Sequence, residues 1–387
     1  MGAFTVGKFA WKRPFWPFLR ELLDSERELG GLKLGVYKLG VIMTAHVDDA
    51  FAATAWMRGR SFLKELDFTR DEWLSLLDLA AALKAERREM GVDQTARLRG
   101  QNIALIFEKT STRTRCSFEV AAAEQGASTT YLDSQGSQIG HKESIADTAR
   151  VLGRLYSGIQ YRGFGQDRVE ELARYAGVPV FNGLTDEWHP TQMLADQLTM
   201  REHGGPLDQL KLAYVGDGRS NVGHSVMVSA AMVGMDVVVV GPGGLKGASA
   251  MREAAEERAR ETGASVVVTD DLEAVAGADF VYTDVWLSMG EDAGLYADRV
   301  RLLSPYRVDA ALLARTGNPG VKVLHDLPAL HNLDTKMARG IAEVTGVSEF
   351  EITDEVFEAN ADVIFDQAEN RMHTIKAVLV AALGTRQ

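Results

Sequence analysis

The strongest constraint on the fold of this chain is a repeated alternation of short apolar runs with helical stretches. The run at 102–107 (Asn-Ile-Ala-Leu-Ile-Phe) is short and continuously apolar, as expected of a buried strand. Similar runs follow at 129–132, 158–161 and 178–181, and a second series lies at 212–215, 237–240, 266–268, 280–282 and 321–324. Helical patterns separate them, for example at 248–262, which is the signature of parallel βα units. Two such series predict an α/β protein of two doubly wound parallel-sheet domains, with an active-site cleft between them. The helix around 192–200 is the expected connector, and 368–383 reads as one long terminal helix. Thr69 followed by Glu72 has capping-box spacing, so a helix is expected to begin there, with Trp73, Leu74, Leu76 and Leu77 on its apolar face.

In parallel α/β sheets, ligands bind beyond the carboxyl ends of the strands. The first strand leads into Ser111-Thr112-Arg113-Thr114-Arg115, and a helix follows. Hydroxyls and free backbone N–H groups at a helix start form an anion cradle. Arg113 adds a planar donor fork suited to phosphate. A plain helix cap with solvated arginines would use the same residue types. After the strand at 212–215 comes Gly216-Asp217-Gly218, but Asn221 stands where a dinucleotide-binding loop needs its last glycine, so no nucleotide site is expected there. Three more strand ends are polar: Asn182 to Gln192, Thr283 to Gly290, and His325-Asp326-Leu327-Pro328. Polar loops at several equivalent strand ends point to one shared cleft.

The 387 residues carry a formal net charge of -12, which argues against a nucleic-acid or anionic-membrane surface but not against a small anionic substrate bound by local arginines. A single cysteine, Cys116, excludes an internal disulfide and a cysteine-based zinc cluster, and fits a reducing cytoplasmic setting. No run of 18 or more apolar residues predicts a transmembrane helix. Residues 1–20 are basic and aromatic, faintly like an amphipathic targeting segment, but Glu21, Asp24, Glu26 and Glu28 follow. Residues 1–57 are therefore expected to be an extension outside the catalytic fold, or translated leader with Met57 as the start.

Taken together, the run at 111–115, His189-Pro190-Thr191-Gln192, Ser137-Gln138-Ile139-Gly140-His141-Lys142-Glu143-Ser144, Asp284-Val285-Trp286-Leu287-Ser288-Met289-Gly290 and Phe365-Asp366-Gln367-Ala368-Glu369-Asn370-Arg371-Met372-His373 resemble the aspartate/ornithine carbamoyltransferases. The resemblance covers about residues 57–385. The Ser-Met-Gly loop and Asn182-Gly183-Leu184-Thr185 resemble the ornithine branch. It implies a carbamoyl phosphate domain at 58–190, with the terminal helix 368–387 packing back on it, and an amino-acid domain at 191–367. It implies that Ser111, Thr112, Arg113 and Thr114 hold the phosphate, and that Arg162, His189, Gln192, Arg371, Asp326 and Leu327 also contact carbamoyl phosphate. Gln138 would reach it from a neighbouring subunit, which implies a homotrimer or a multiple of trimers. Asn182, Asn221, Asp284, Ser288 and Met289 would hold the amino acid's α-groups. Arg113, Arg162, His189, Asp284 and Asp326 are the expected catalytic set, and neither metal nor organic cofactor is needed. The 287–291 loop would close after the second substrate binds.

One position departs from the family pattern, which has His-Cys-Leu-Pro where this chain has His325-Asp326-Leu327-Pro328. Asp326 would accept a hydrogen bond from the amine and help remove its proton, or it would alter specificity toward another diamine or diamino acid. A carboxylate there also favours the ammonium form and opposes formation of the nucleophile. A putrescine carbamoyltransferase and an inactive regulatory homologue are the remaining alternatives. The first would lack a use for the amino-acid-binding groups, and the second would lack a reason to keep the arginines and His189.

Overall fold

The structure is a computed structural model that describes residues 32–93, 95–133, 143–245, 247–287 and 293–385. It contains two parallel-sheet α/β domains. The first sheet has strands β1 (Asn102–Phe107), β2 (Ser128–Asp133), β3 (Gly158–Arg162) and β4 (Val180–Leu184), in the order β2-β1-β3-β4. The second has β5 (Lys211–Val215), β6 (Asp236–Val240), β7 (Val266–Thr269), β8 (Phe280–Thr283) and β9 (Lys322–His325), in the order β7-β6-β5-β8-β9. Every registered strand pair in both sheets is parallel. In each sheet the chain begins at an inner strand, moves one way, and then crosses to the other side. The resulting switch points, between β1 and β3 and between β5 and β8, are where such folds place ligands.

The helices are α1 (Leu32–Ala53), α2 (Arg70–Met90), α3 (Thr112–Glu124), α4 (Ile145–Leu155), α5 (Gln166–Ala176), α6 (Pro190–Gly204), α7 (Asn221–Val233), α8 (Ser249–Thr262), α9 (Tyr296–Leu303), α10 (Ala310–Arg315), α11 (Lys336–Thr345), α12 (Asp354–Ala359) and α13 (Ala361–Leu383). Helix α2 starts at the expected capping box: the Thr69 hydroxyl accepts from Glu72 N–H, and the Glu72 carboxylate accepts from Thr69 N–H. It ends at Gly91, whose φ of 77° suits a residue without a Cβ.

Two expectations change. Helix α13 begins at Ala361 rather than at 368, because nothing between Asn360 and Leu383 interrupts helical backbone. It packs on α2, α3 and α6, and it also touches β9, so one helix joins both domains. Nor do residues 32–57 lie outside the fold. Met43, Val47, Phe51 and Met57 are buried, with Val47, Phe51 and Met57 in the same core cluster as Trp73 of α2. Asp48 of α1 also forms an ion pair with the buried Arg97 at 2.7 Å. The basic aromatic segment 1–20 lies outside the described residues. No helix among the described residues is long and apolar enough to cross a membrane.

Candidate active site

The anion cradle is built from the start of α3. Ser111 is its N-cap, accepting the Thr114 N–H at 3.3 Å. Thr114, buried one turn in, offers its Oγ1 to two guanidinium groups: Arg162 Nη1 at 3.2 Å and Arg371 Nη2 at 3.1 Å. Arg162 stands at the end of β3, and Arg371 comes from α13. Arg162 also donates to the Gly183 carbonyl at 3.3 Å. A Cβ at Gly183 would fall 2.5 Å from Gln160 Nε2 and 3.1 Å from Thr114 Cγ2, so only glycine lets the backbone come this close.

Arg371 donates to Gln192 Oε1 on α6, and the Gln192 amide donates to Asp196 Oδ1 at 2.8 Å. Gln367 supports the same carboxylate oxygen at 2.7 Å and takes the His325 N–H on its own oxygen at 2.9 Å. Burial holds Asp196 up at about 7. Sequence reasoning missed Asp196 and Gln367. The i,i+4 spacing of Gln192 and Asp196 was the local signal, whereas Gln367 is joined to both only through the tertiary fold.

Burial lowers Arg162 to about 9 and Arg371 to about 10, and repulsion from neighbouring guanidinium groups adds to it. Both remain cationic at neutral pH. His189, buried beside Arg371, Arg162 and Arg113, is pushed well below its ordinary value, first by desolvation and then by those charges. It is therefore a neutral imidazole. Its backbone N–H is fixed to Ser225 Oγ at 2.9 Å. Arg162 Nε, Arg371 Nε and His189 Nδ1 are all buried and have no hydrogen-bond partner among the described residues. Buried polar atoms without partners are uncommon in folded proteins and ask for an explanation. Here they sit on positively charged or polar groups around one helix start, as an anion receptor requires.

Arg113, the third guanidinium, crosses to the second domain and donates to the Leu327 carbonyl at 2.5 Å. Leu327 has φ 58°, a left-handed backbone that a leucine rarely adopts. The turn is held by His325, whose Nδ1 accepts the Leu327 N–H at 2.9 Å. That contact leaves the proton on Nε2, facing the fully buried Glu351 Oε1 at 3.3 Å, which also accepts the Leu330 N–H. Glu351 was not singled out from the sequence, because it enters the site only through this buried contact.

Asp284 follows β8 and Asp326 follows β9. These strands pair in parallel with Thr283 opposite His325, so the two carboxyls leave the sheet side by side. Asp284 is buried and raised well above the ordinary carboxyl range, first by desolvation and then by the charge of Asp326. Asn221 opens α7; its amide donates to the Thr185 carbonyl at 2.7 Å, joining the second domain to the loop after β4.

The strand end at Asn182 differs from the sequence expectation. Strand β4 runs on through Leu184, so Asn182 lies within it rather than in the loop beyond. It is fully buried, donates to Leu63 O at 2.8 Å and Gln166 Oε1 at 3.3 Å, and accepts from Leu184 N–H at 2.9 Å. Those bonds tie β4 to the segment before α2 and to the start of α5. Asn182→Ala is expected to destabilise the fold by roughly 2–4 kcal/mol, because its partners are left unpaired. The KM for the amino-acid substrate should not change. Urea unfolding and steady-state kinetics on one preparation check both halves.

Thr112 is the first residue of α3, half-way between the capping Ser111 and Arg113. Gln138, Ser288 and Met289, and most of the 287–291 loop, lie outside the described residues. The Gly216-Asp217-Gly218 turn is not open to a nucleotide: Asp217 is held by Arg219 at 2.9 Å and Arg299 at 2.5 Å. His331, Asp354 and Glu358 lie close enough to share a metal ion. Asp354 already accepts from His331 and Asn332, which accounts for the group as an internal hydrogen-bond cluster.

Residues 60–202 match the sequence profile described as aspartate/ornithine carbamoyltransferase, carbamoyl-P binding domain, and residues 208–382 match the Asp/Orn binding domain of the same family. Among solved structures, the ornithine carbamoyltransferase from Pyrococcus furiosus is 39% identical with a TM-score of 0.77, over 86% of this chain and 99% of that one. The enzyme of that name from Gloeobacter violaceus is 41% identical with a TM-score of 0.71, over 84% and 100%. The anabolic ornithine carbamoyltransferase from Campylobacter jejuni is 32% identical with a TM-score of 0.73, over 83% and 97%.

Proposed function

The chain belongs to the aspartate/ornithine carbamoyltransferase family, and from that premise we propose that this carbamoyltransferase moves the carbamoyl group of carbamoyl phosphate to the δ-amine of L-ornithine, giving L-citrulline and phosphate. The observation that carries this reading is the group of buried polar atoms without partners among the described residues, the donors Arg162 Nε and Arg371 Nε together with His189 Nδ1, around the start of α3. They suit a doubly charged phosphate and an adjoining carbonyl.

In this reading Ser111, Thr112, Arg113 and Thr114 take the phosphate. Arg162, Arg371, Gln192 and the neutral His189 take the carbamoyl end, and the Leu327 carbonyl accepts from its amide. Domain 58–190 holds carbamoyl phosphate and domain 191–367 the amino acid. Asn221 and Asp284, with Ser288 and Met289, receive the α-carboxylate and α-ammonium. The neutral δ-amine attacks the carbamoyl carbon, the bond from that carbon to the bridging oxygen breaks, and phosphate leaves with the electron pair and takes up the proton that the newly bonded nitrogen loses. Charge grows on the carbonyl oxygen and then on phosphate, where the guanidinium groups already stand. Holding both substrates in register across the cleft supplies much of the remaining gain. Gln138 would act from a neighbouring subunit of a cytoplasmic homo-oligomer.

A second reading, a diamine or another diamino acid as acceptor, is favoured by Asp326 alone. Steady-state assay of carbamoylated product separates the two, with ornithine, lysine, shorter diamino acids and putrescine as acceptors. Ornithine is expected to have the highest kcat/KM, by at least about tenfold, since the others lose α-group contacts or reach. Faster turnover of putrescine would overturn the ornithine assignment. No product from any amine, with carbamoyl phosphate bound, would favour a regulatory homologue.

A further inference from the structure

The acceptor end of the cleft holds two adjoining carboxyl groups. Asp284 Oδ1 accepts the Val285 N–H at 2.7 Å, and its side chain lies against that of Asp326. Asp326 Oδ1 is buried and has no hydrogen-bond partner among the described residues. Its neighbour His325, 3.7 Å away, cannot donate to it, since Nδ1 already accepts from Leu327.

Charged groups surround the pair. Arg113 of α3, Arg162 of β3 and Arg371 of α13 attract Asp326, whereas Asp196 of α6 repels it. Tyr214 of β5 and Tyr282 of β8 face both carboxyls, and Glu351 adds negative charge beside Asp284. The guanidinium groups offset charge without donating to Asp326: their hydrogen bonds go to Leu327 O, Thr114 Oγ1, Gly183 O and Gln192 Oε1. Adjoining carboxyls repel when both are ionised, and a proton held on Asp284 relieves that repulsion.

We propose that Asp284 and Asp326 act together as a proton-exchanging receptor for the acceptor's ammonium groups. One proton bridges the two carboxyls while no acceptor is bound, and it leaves to solvent when an ammonium group takes its place. This rests on the acceptor being an amine, as in the function proposed above. Asp326 strengthens the hold on that proton beyond what burial of Asp284 alone gives, which a cysteine at 326, the residue of the family pattern, would not do. Below the pH at which the pair loses its proton, acceptor binding releases a proton and weakens as pH falls.

Calorimetric titration of the full-length protein with carbamoyl phosphate and L-norvaline, which has the α-groups but no δ-amine, tests this. Measurement in two buffers of different ionisation enthalpy gives the protons released. The unaltered protein is expected to release up to about one more proton per site than Asp326→Asn or Asp326→Cys between about pH 5 and pH 9. Equal release in all three proteins, or none in the unaltered protein across that range, overturns the shared proton. Should norvaline and ornithine fail to bind while putrescine binds, the ornithine reading falls, and the proton count with putrescine decides the pair. Should no amine bind, the receptor itself is refuted. If neither variant folds, the unaltered protein decides alone: a release that does not change with pH overturns the proposal.

Discussion

Replacing Arg162 with methionine is expected to lower kcat/KM about a thousandfold while leaving the protein folded. The size follows from what the guanidinium does. It is buried among Thr114, Gly183 and two other arginines, where water cannot screen its field, and its Nε has no acceptor among the described residues. A preorganised donor of this kind acts on charge that appears only as the C–O bond breaks. The loss should therefore fall on kcat as well as on the KM for carbamoyl phosphate. Stability should move little, because taking a desolvated cation out of a site with two others relieves repulsion, offsetting the lost bonds to Thr114 and Gly183. Arg162→Lys, which keeps a charge but not the fork, should recover only part of the rate. Steady-state kinetics with each substrate varied, alongside thermal unfolding, measures this. A loss under about tenfold, or one confined to the acceptor's KM, would show that Arg162 serves only the architecture.

The sequence showed the strands more clearly than the partners. Buried parallel strands are continuous apolar runs, so 102–107 coincides with β1 and the remaining runs fall within a few residues of β2 to β9. Each polar cluster at a strand end was visible for the same reason. What hydropathy hides is a polar residue inside a strand. Asn182 ends the apolar run of β4, yet the strand continues because its amide bonds Leu63 and Gln166, more than 100 and 16 residues away in sequence. Glu351, Asp196 and Gln367 were invisible as site residues for the opposite reason. Each looks like an ordinary helix or loop polar residue until the fold buries it against His325 or Gln192. Helix α1 falls on the wrong side of the expected boundary because it adjoins an unusual basic and aromatic segment, although its Val47 and Phe51 are buried in the first core.

Asp326→Cys is expected to move the alkaline-rising limb of the pH–kcat profile toward acid by up to about 2 units. The carboxylate's field favours the ammonium form of a bound δ-amine, and only the neutral amine attacks. A unit charge at about 5 Å and an effective dielectric of about 20 holds the proton with about 3 kcal/mol. That value is an upper bound here, since Arg113, Arg162 and Arg371 all face Asp326 and cancel part of its field. The sign is unambiguous. Asp326 raises the amine's ionisation point, so at neutral pH the neutral fraction is smaller than with a thiol, and turnover is slower. The unaltered enzyme should approach the variant's rate only at higher pH, where both bound amines are neutral. Asp326→Asn, neutral throughout, should share the acid-shifted limb and separate charge from thiol chemistry. Superimposable profiles for all three proteins would mean that the carboxylate does not reach the nucleophile. A shift toward alkaline pH in both variants would instead make Asp326 the group that removes the amine's proton, reversing its role at the one position where this chain departs from its family.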